Sequence, residues 1–146
     1  MTKFLKYTVI LICITLNSCN QNEYRGIHIG TDLYENQTTT KNNELKEIIN
    51  EILNKKPSGL IKISTFDCGG GAGCYDLGSV LSQTLNKIGE NDFIKMSQHL
   101  NYNQKQEINS LLEMGFEYGD NNDDEKMDDT TLSKNYPKLS NELYKK

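Results

Sequence analysis

The chain has 146 residues, 16 basic against 20 acidic side chains, a net charge of −4 and a mean hydropathy of −0.65. That length supports one domain and not two. An acidic chain with no basic cluster is a poor fit to nucleic acid, and two cysteines with five residues between them, Cys68 and Cys74, are too few for a zinc site of three or four ligands.

The chain opens with Lys3 and Lys6 and no acid, followed by the apolar run YTVILICITL from Tyr7 to Leu16. A membrane span needs about 20 apolar residues, so a run of about half that length fits the core of an export signal. The ending Leu16-Asn17-Ser18-Cys19 resembles the lipobox of bacterial lipoproteins. The resemblance implies that residues 1–18 are a signal peptide, that Cys19 is diacylated and becomes the first mature residue, and that the protein is anchored to a membrane without spanning it. It places the protein in the cell envelope. Asn20 is not the aspartate that retains such proteins at the inner membrane, which favours the outer membrane. Loss of Lys3 and Lys6 leaves the mature part more acidic, so attachment is expected from lipid and not from charge.

Residues 19–42 are rich in Asn, Gln and Thr and read as a polar tether, with GIHI (Gly26 to Ile29) as a short strand in need of a partner. From Glu44 to Lys56, Leu45, Ile48, Ile49, Ile52 and Leu53 follow helical spacing, with Asn43 as N-cap and Pro57 as terminator. Residues 58–66 are ambiguous: Ile61, Ile63 and Thr65 alternate as in a strand, whereas Leu60, Ile63 and Phe66 suit a short helix, the reading that fits its helical surroundings better.

FDCGGGAGCYDLG, Phe66 to Gly78, carries the chemistry. As a phosphate loop it fails: Cys74 stands where the dinucleotide fingerprint needs its last glycine, and Val80 follows Ser79 with no preceding lysine. Asp67-Cys68-Gly69-Gly70 resembles the D-C-[SG]-G start of the catalytic helix in NlpC/P60 cell-wall peptidases, which implies an envelope cysteine hydrolase using Cys68. That family needs a histidine, and this chain offers only His28, upstream, and His99, in a helical pattern; both fit solvated or helix-end side chains better. No metal site is expected. Asp120, Asn122 and Asp124 match the first ligands of a calcium loop, but Glu125 holds the required glycine position and Thr131 the required glutamate. The favoured reading is a Cys68–Cys74 disulfide: export meets oxidising conditions, and Cys13 and Cys19 are otherwise consumed. Free thiols remain the alternative.

Beyond the loop, Leu77, Val80, Leu81, Leu85 and Ile88 mark a helix from about Asp76 to Ile88, with Gly89 as its C-cap; Phe93, Met96 and Leu100 mark a shorter one; Ile108, Leu111, Leu112 and Phe116 mark another from about Gln104 to Tyr118. Gly119 to Thr131 is an acidic loop, and Pro137 admits a last short helix. The body, residues 43–119, is therefore expected to be mainly α, a small antiparallel helical bundle with at most a minor β element, followed by a tail at 120–146. CGGGAGCYDLG with the turn Gly89-Glu90-Asn91-Asp92-Phe93 resembles small helical bacterial proteins, some associated with toxin-immunity loci, which implies a helical fold and a protein-binding role.

The leading expectation is a lipid-anchored protein-binding module without cofactor. Gly69, Gly70, Gly71, Gly73, Tyr75 and Asp76 are its candidate contact loop, and the acidic segment is a further surface. Tyr75, Tyr102, Tyr118 and Phe116 fall at helix ends, as a binding rim or as the edge of the core. A structural envelope lipoprotein is the third reading.

Overall fold

A computed structural model describes residues 22–119, 127 and 129–145. It is mainly helical with one small sheet, as the sequence pattern predicts. The chain opens with an antiparallel hairpin of β1 (Glu23–Tyr24) and β2 (Ile27–His28), in which Glu23 faces His28 and Tyr24 faces Ile27. Helices follow: α1 (Thr31–Glu35), α2 (Thr39–Leu53), α3 (Pro57–Ile63), α4 (Ala72–Ile88), α5 (Glu90–Ser97), α6 (Tyr102–Tyr118), α7 (Leu132–Asn135) and α8 (Pro137–Leu143). Among the described residues no helix is long and apolar enough to cross a membrane.

The tether expected over residues 19–42 is corrected from Asn22 onward. Ile27, Ile29 and Leu33 are fully buried, which removes enough apolar surface from water to hold the hairpin and α1 on the bundle. The polar residues there make specific local bonds. Thr38 is the N-cap of α2, its Oγ1 accepting from the Lys41 amide at 3.2 Å, so the helix starts ahead of the expected Asn43. Asn42 is buried inside that helix and its Nδ2 donates to the Tyr34 carbonyl at 2.8 Å, tying α2 to α1. The GIHI strand gains two partners: β1 on one edge, and on the other the Gln83 side chain. The Gln83 amide accepts from the His28 N–H at 2.8 Å and donates to the His28 carbonyl at 3.0 Å.

Residues 57–63 are helical. Leu60 and Ile63 are buried while Ile61 faces solvent, a division that a strand alternating at Ile61 and Ile63 cannot produce. Pro57 occupies the first turn, where its missing N–H costs nothing. In α6 a capping box joins Asn101 and Gln104, each side chain bonded to the other's amide at 2.9 Å; Gln104 is thus the third helical residue and not the first.

The core also runs past the expected boundary at residue 119. Leu132, Leu139 and Leu143 are fully buried. Glu90 Oε1 accepts from the amides of Lys138 and Leu139, both at 3.0 Å, and so caps α8. Lys105, itself buried, meets Glu142 at 3.3 Å and holds α8 against α6. Glu142 also pairs with Lys145, and these two cations, Lys145 first, hold its carboxyl below the usual range. Hairpin, bundle and C-terminal helices thus share one core. The middle of the expected acidic loop, residues 120–126, lies outside the described residues.

The central pair is α4 and α6, the most extensive contact between elements. Their backbones touch at Gly78 and Gly115. A Cβ on Gly115 would lie 2.2 Å from the Gly78 carbonyl oxygen, and one on Gly78 would lie 2.5 Å from that of Leu111. This crossing fixes where the N-terminal end of α4, and the glycine loop before it, sits relative to the C-terminal end of α6.

Candidate functional site

The loop at the head of α4 is closed by a disulfide between Cys68 and Cys74, whose Cα atoms are 5.0 Å apart. Within this ring Gly69, Gly70 and Gly71 all have positive φ (75°, 85° and 52°), and nothing lies within 4 Å of where a Cβ would stand. Glycine is required there by conformation and not by space. Gly73 differs: a Cβ on it would lie 2.4 Å from the Cys68 carbonyl oxygen. The outcome is a turn with three exposed, side-chain-free peptide units.

Asp67 braces the ring. Its Oδ1 accepts from the Gly69 amide at 3.0 Å and its Oδ2 pairs with Lys41 at 2.7 Å. The Lys41 bond, followed by the Gly69 amide, holds this carboxyl below the usual range. The Asp-Cys-Gly-Gly motif that resembles a peptidase start is therefore an aspartate-braced, bridged turn. Asp67 is occupied with Lys41 and the sulfur of Cys68 with that of Cys74.

Asp76, expected as a contact residue, has a structural task. Helix α1 begins after Gly30, which has no side chain to cap it. Asp76 fills the place: its carboxyl carbon lies 2.0 Å from where a Gly30 Cβ would be, and its Oδ2 accepts from the Leu33 amide at 2.9 Å. Burial raises its pKa, opposed by the amides of Leu33 and Asp32. Asp76→Ala leaves the first amides of α1 without an acceptor, a loss of about 1 kcal/mol in urea unfolding. Asp76→Asn, which keeps one oxygen, recovers part of it. A variant Asp76→Ala as stable as the parent would rule this capping role out.

The remaining residues separate as follows. Tyr75 and Tyr118 meet at a ring-centroid distance of 4.9 Å and a tilt of 45°, both more than two-fifths exposed. A hydrogen bond to the Glu117 carboxylate raises the Tyr118 pKa. Phe116 is buried, its ring 5.7 Å from that of Tyr136, and Tyr102 is exposed apart from this pair. His28 and His99 are both exposed. Among the described residues no group of three or more His, Cys, Asp or Glu side chains could hold a metal ion; Asp120, Asn122 and Asp124, and Cys19, lie outside them. Sequence reasoning grouped Tyr75 and Tyr118 with Tyr102 and Phe116 as a rim or core edge and missed that only these two pair with each other, which depends on the Gly78–Gly115 crossing. Comparison with protein-family models, curated proteins and solved structures finds no match to this chain.

Proposed function

We propose that this chain is a lipid-anchored protein-binding module of the bacterial envelope, of the toxin-immunity type, attached through Cys19 to the outer membrane. The observation that carries the binding role is the Tyr75–Tyr118 pair, exposed beside a bridged turn with bare peptide groups. Tyrosines are enriched where proteins meet, since they bring large contact area at little entropy cost, and a cross-linked turn presents its amides already ordered. The lipobox carries the anchoring.

Two measurements test the reading. A photo-cross-linking residue placed at Tyr75 or Tyr118 in cells yields a discrete protein adduct, and the same probe at exposed Lys134 does not; an identical pattern at all three positions would defeat the binding role. Intact mass of membrane-extracted protein, alkylated without prior reduction, shows an acylated Cys19 and no added alkyl group. Two added groups would bring the Cys68 hydrolase forward.

A further inference from the structure

The hairpin tip joins two cations that have no carboxylate within ion-pair distance among the described residues. Arg25, the only arginine of the sequence, occupies the first turn position and donates to Asn50 Oδ1. Lys87, in the last turn of α4, donates from Nζ to the Arg25 carbonyl at 2.9 Å. Lys41, Lys55, Lys62, Lys95, Lys105 and Lys145 each meet an acid, whereas Lys46, Lys56, Lys134 and Lys138 share with Arg25 and Lys87 the lack of an ion pair among the described residues. What sets Arg25 and Lys87 apart is that they are joined to each other, at the hairpin next to the N-terminal end of the fold. Arg25 and Gly26 both have positive φ (53° and 72°), the pattern of a primed two-residue turn, whose first position favours asparagine or glycine. Turn formation alone does not account for a long cationic side chain there.

The distance to the anchor is short. Asn22 is already part of the fold, its carbonyl accepting from the Ile29 amide at 2.7 Å. Only Asn20 and Gln21 stand between it and Cys19, a reach of at most about 11 Å. We infer that the β1–β2 hairpin rests on the bilayer, with Arg25 and Lys87 on the phosphates of anionic phospholipid headgroups, and that this contact turns the Tyr75–Tyr118 pair toward the aqueous side. The inference rests on the reading of Cys19 as the lipid attachment. Charge selects the orientation. The far end of α4 presents Asp32, whose amide bonds Asp76, and Glu117, bonded to Tyr118; both are exposed acids that an anionic surface repels. The hairpin carries one acid of its own, Glu23, opposite His28. Each cation brought to an anionic surface favours that pose by a factor of about five, and Glu23 offsets about one of the two, so the hairpin favours it by a net factor of about five.

The chain contains no tryptophan, so a single introduced one reports its own depth. Lipidated protein is purified from membranes and reconstituted into vesicles of phosphatidylcholine and phosphatidylglycerol that contain a headgroup-nitroxide lipid. Tyr24→Trp is quenched strongly and Tyr75→Trp weakly. Adding Arg25→Asn and Lys87→Gln, or omitting phosphatidylglycerol, brings the two positions together. Asparagine suits the turn, and circular dichroism verifies that the neutralised protein is folded. Equal quenching at both positions in the parent, stronger quenching at Tyr75→Trp, or a difference untouched by neutralising the cations would overturn the inference. Intact mass of the same preparation separates the two ideas. If Cys19 carries no lipid the anchor reading fails, and the same assay after coupling Cys19 to a maleimide phospholipid still decides the orientation.

Discussion

Gly115→Ala lowers the free energy of unfolding by about 2 to 3 kcal/mol and the thermal midpoint by about 10 °C. The added methyl would lie 2.2 Å from the oxygen and 2.4 Å from the carbon of the Gly78 carbonyl, and 3.0 Å from the Ser79 nitrogen. All three are backbone atoms inside α4, so no rotamer change relieves the clash. The helices must separate, and the surrounding apolar side chains of Leu77, Val80, Leu81, Ile108, Leu111 and Leu112 lose packing. Alanine is intrinsically better than glycine in a helix by about 1 kcal/mol, so the measured loss is what remains after that gain. Ser110→Ala, at an exposed position of the same helix, is the control and changes stability little. Gly78→Ala behaves as Gly115→Ala does, since its methyl would lie 2.5 Å from the Leu111 oxygen and 2.9 Å from the Gly115 nitrogen. A Gly115→Ala protein that melts with the parent would mean that the two backbones do not touch. Because this crossing brings Tyr118 to Tyr75, the variant also weakens the adduct expected from a cross-linker at either tyrosine.

The helices of the body were legible because their apolar residues recur at helical spacing and are buried for that reason: Leu45, Ile48, Ile49 and Ile52 in α2, and Leu77, Val80, Leu81 and Leu85 in α4. Residues 58–66 carry two periodicities at once. What decides between them is tertiary: Gly59 packs so closely on α2 that a Cβ would lie 2.8 Å from the Ile52 nitrogen. The N-terminal region was misread because its composition is that of a linker. Composition does not reveal that Thr38 caps a helix, that Asn42 bonds the Tyr34 carbonyl or that Gln83 completes the edge of β2. Asp76 was legible as a residue of the glycine-loop region, but its partner at Leu33 is 43 positions away and leaves no local pattern. The Gly78–Gly115 contact had a faint signal, a glycine on the apolar face of each of two strongly periodic helices. Nothing in one sequence says that such faces meet.

Replacing Cys68 or Cys74 by serine, singly or together, costs about the same in each case, roughly 2.4 kcal/mol by the loop-closure entropy of a seven-residue ring. Gly69, Gly70 and Gly71 make the ring depend on its cross-link. Their positive φ values are conformations that glycine reaches freely, but freedom in the unfolded chain is entropy that folding must remove. Without the bridge, that entropy is restrained by Asp67, through the Gly69 amide and Lys41, by the Gly71 carbonyl, which accepts from the Cys74 amide at 3.0 Å, and by the close seat of Gly73 against the Cys68 carbonyl. Urea unfolding of the two single variants and the double variant, with dithiothreitol-treated parent as a fourth sample, measures the cost. Four closely similar losses identify the bridge as the stabilising element. The singles also separate the functional readings, because a nucleophile belongs to one sulfur and a cross-link to both. A cell-wall hydrolysis activity abolished by Cys68→Ser and retained by Cys74→Ser would place the chemistry at Cys68 and refute the binding module. Equal weakening of the Tyr75 and Tyr118 adducts by either serine, with no hydrolysis to lose, is the result expected of a cross-linked turn that presents its surface to a partner.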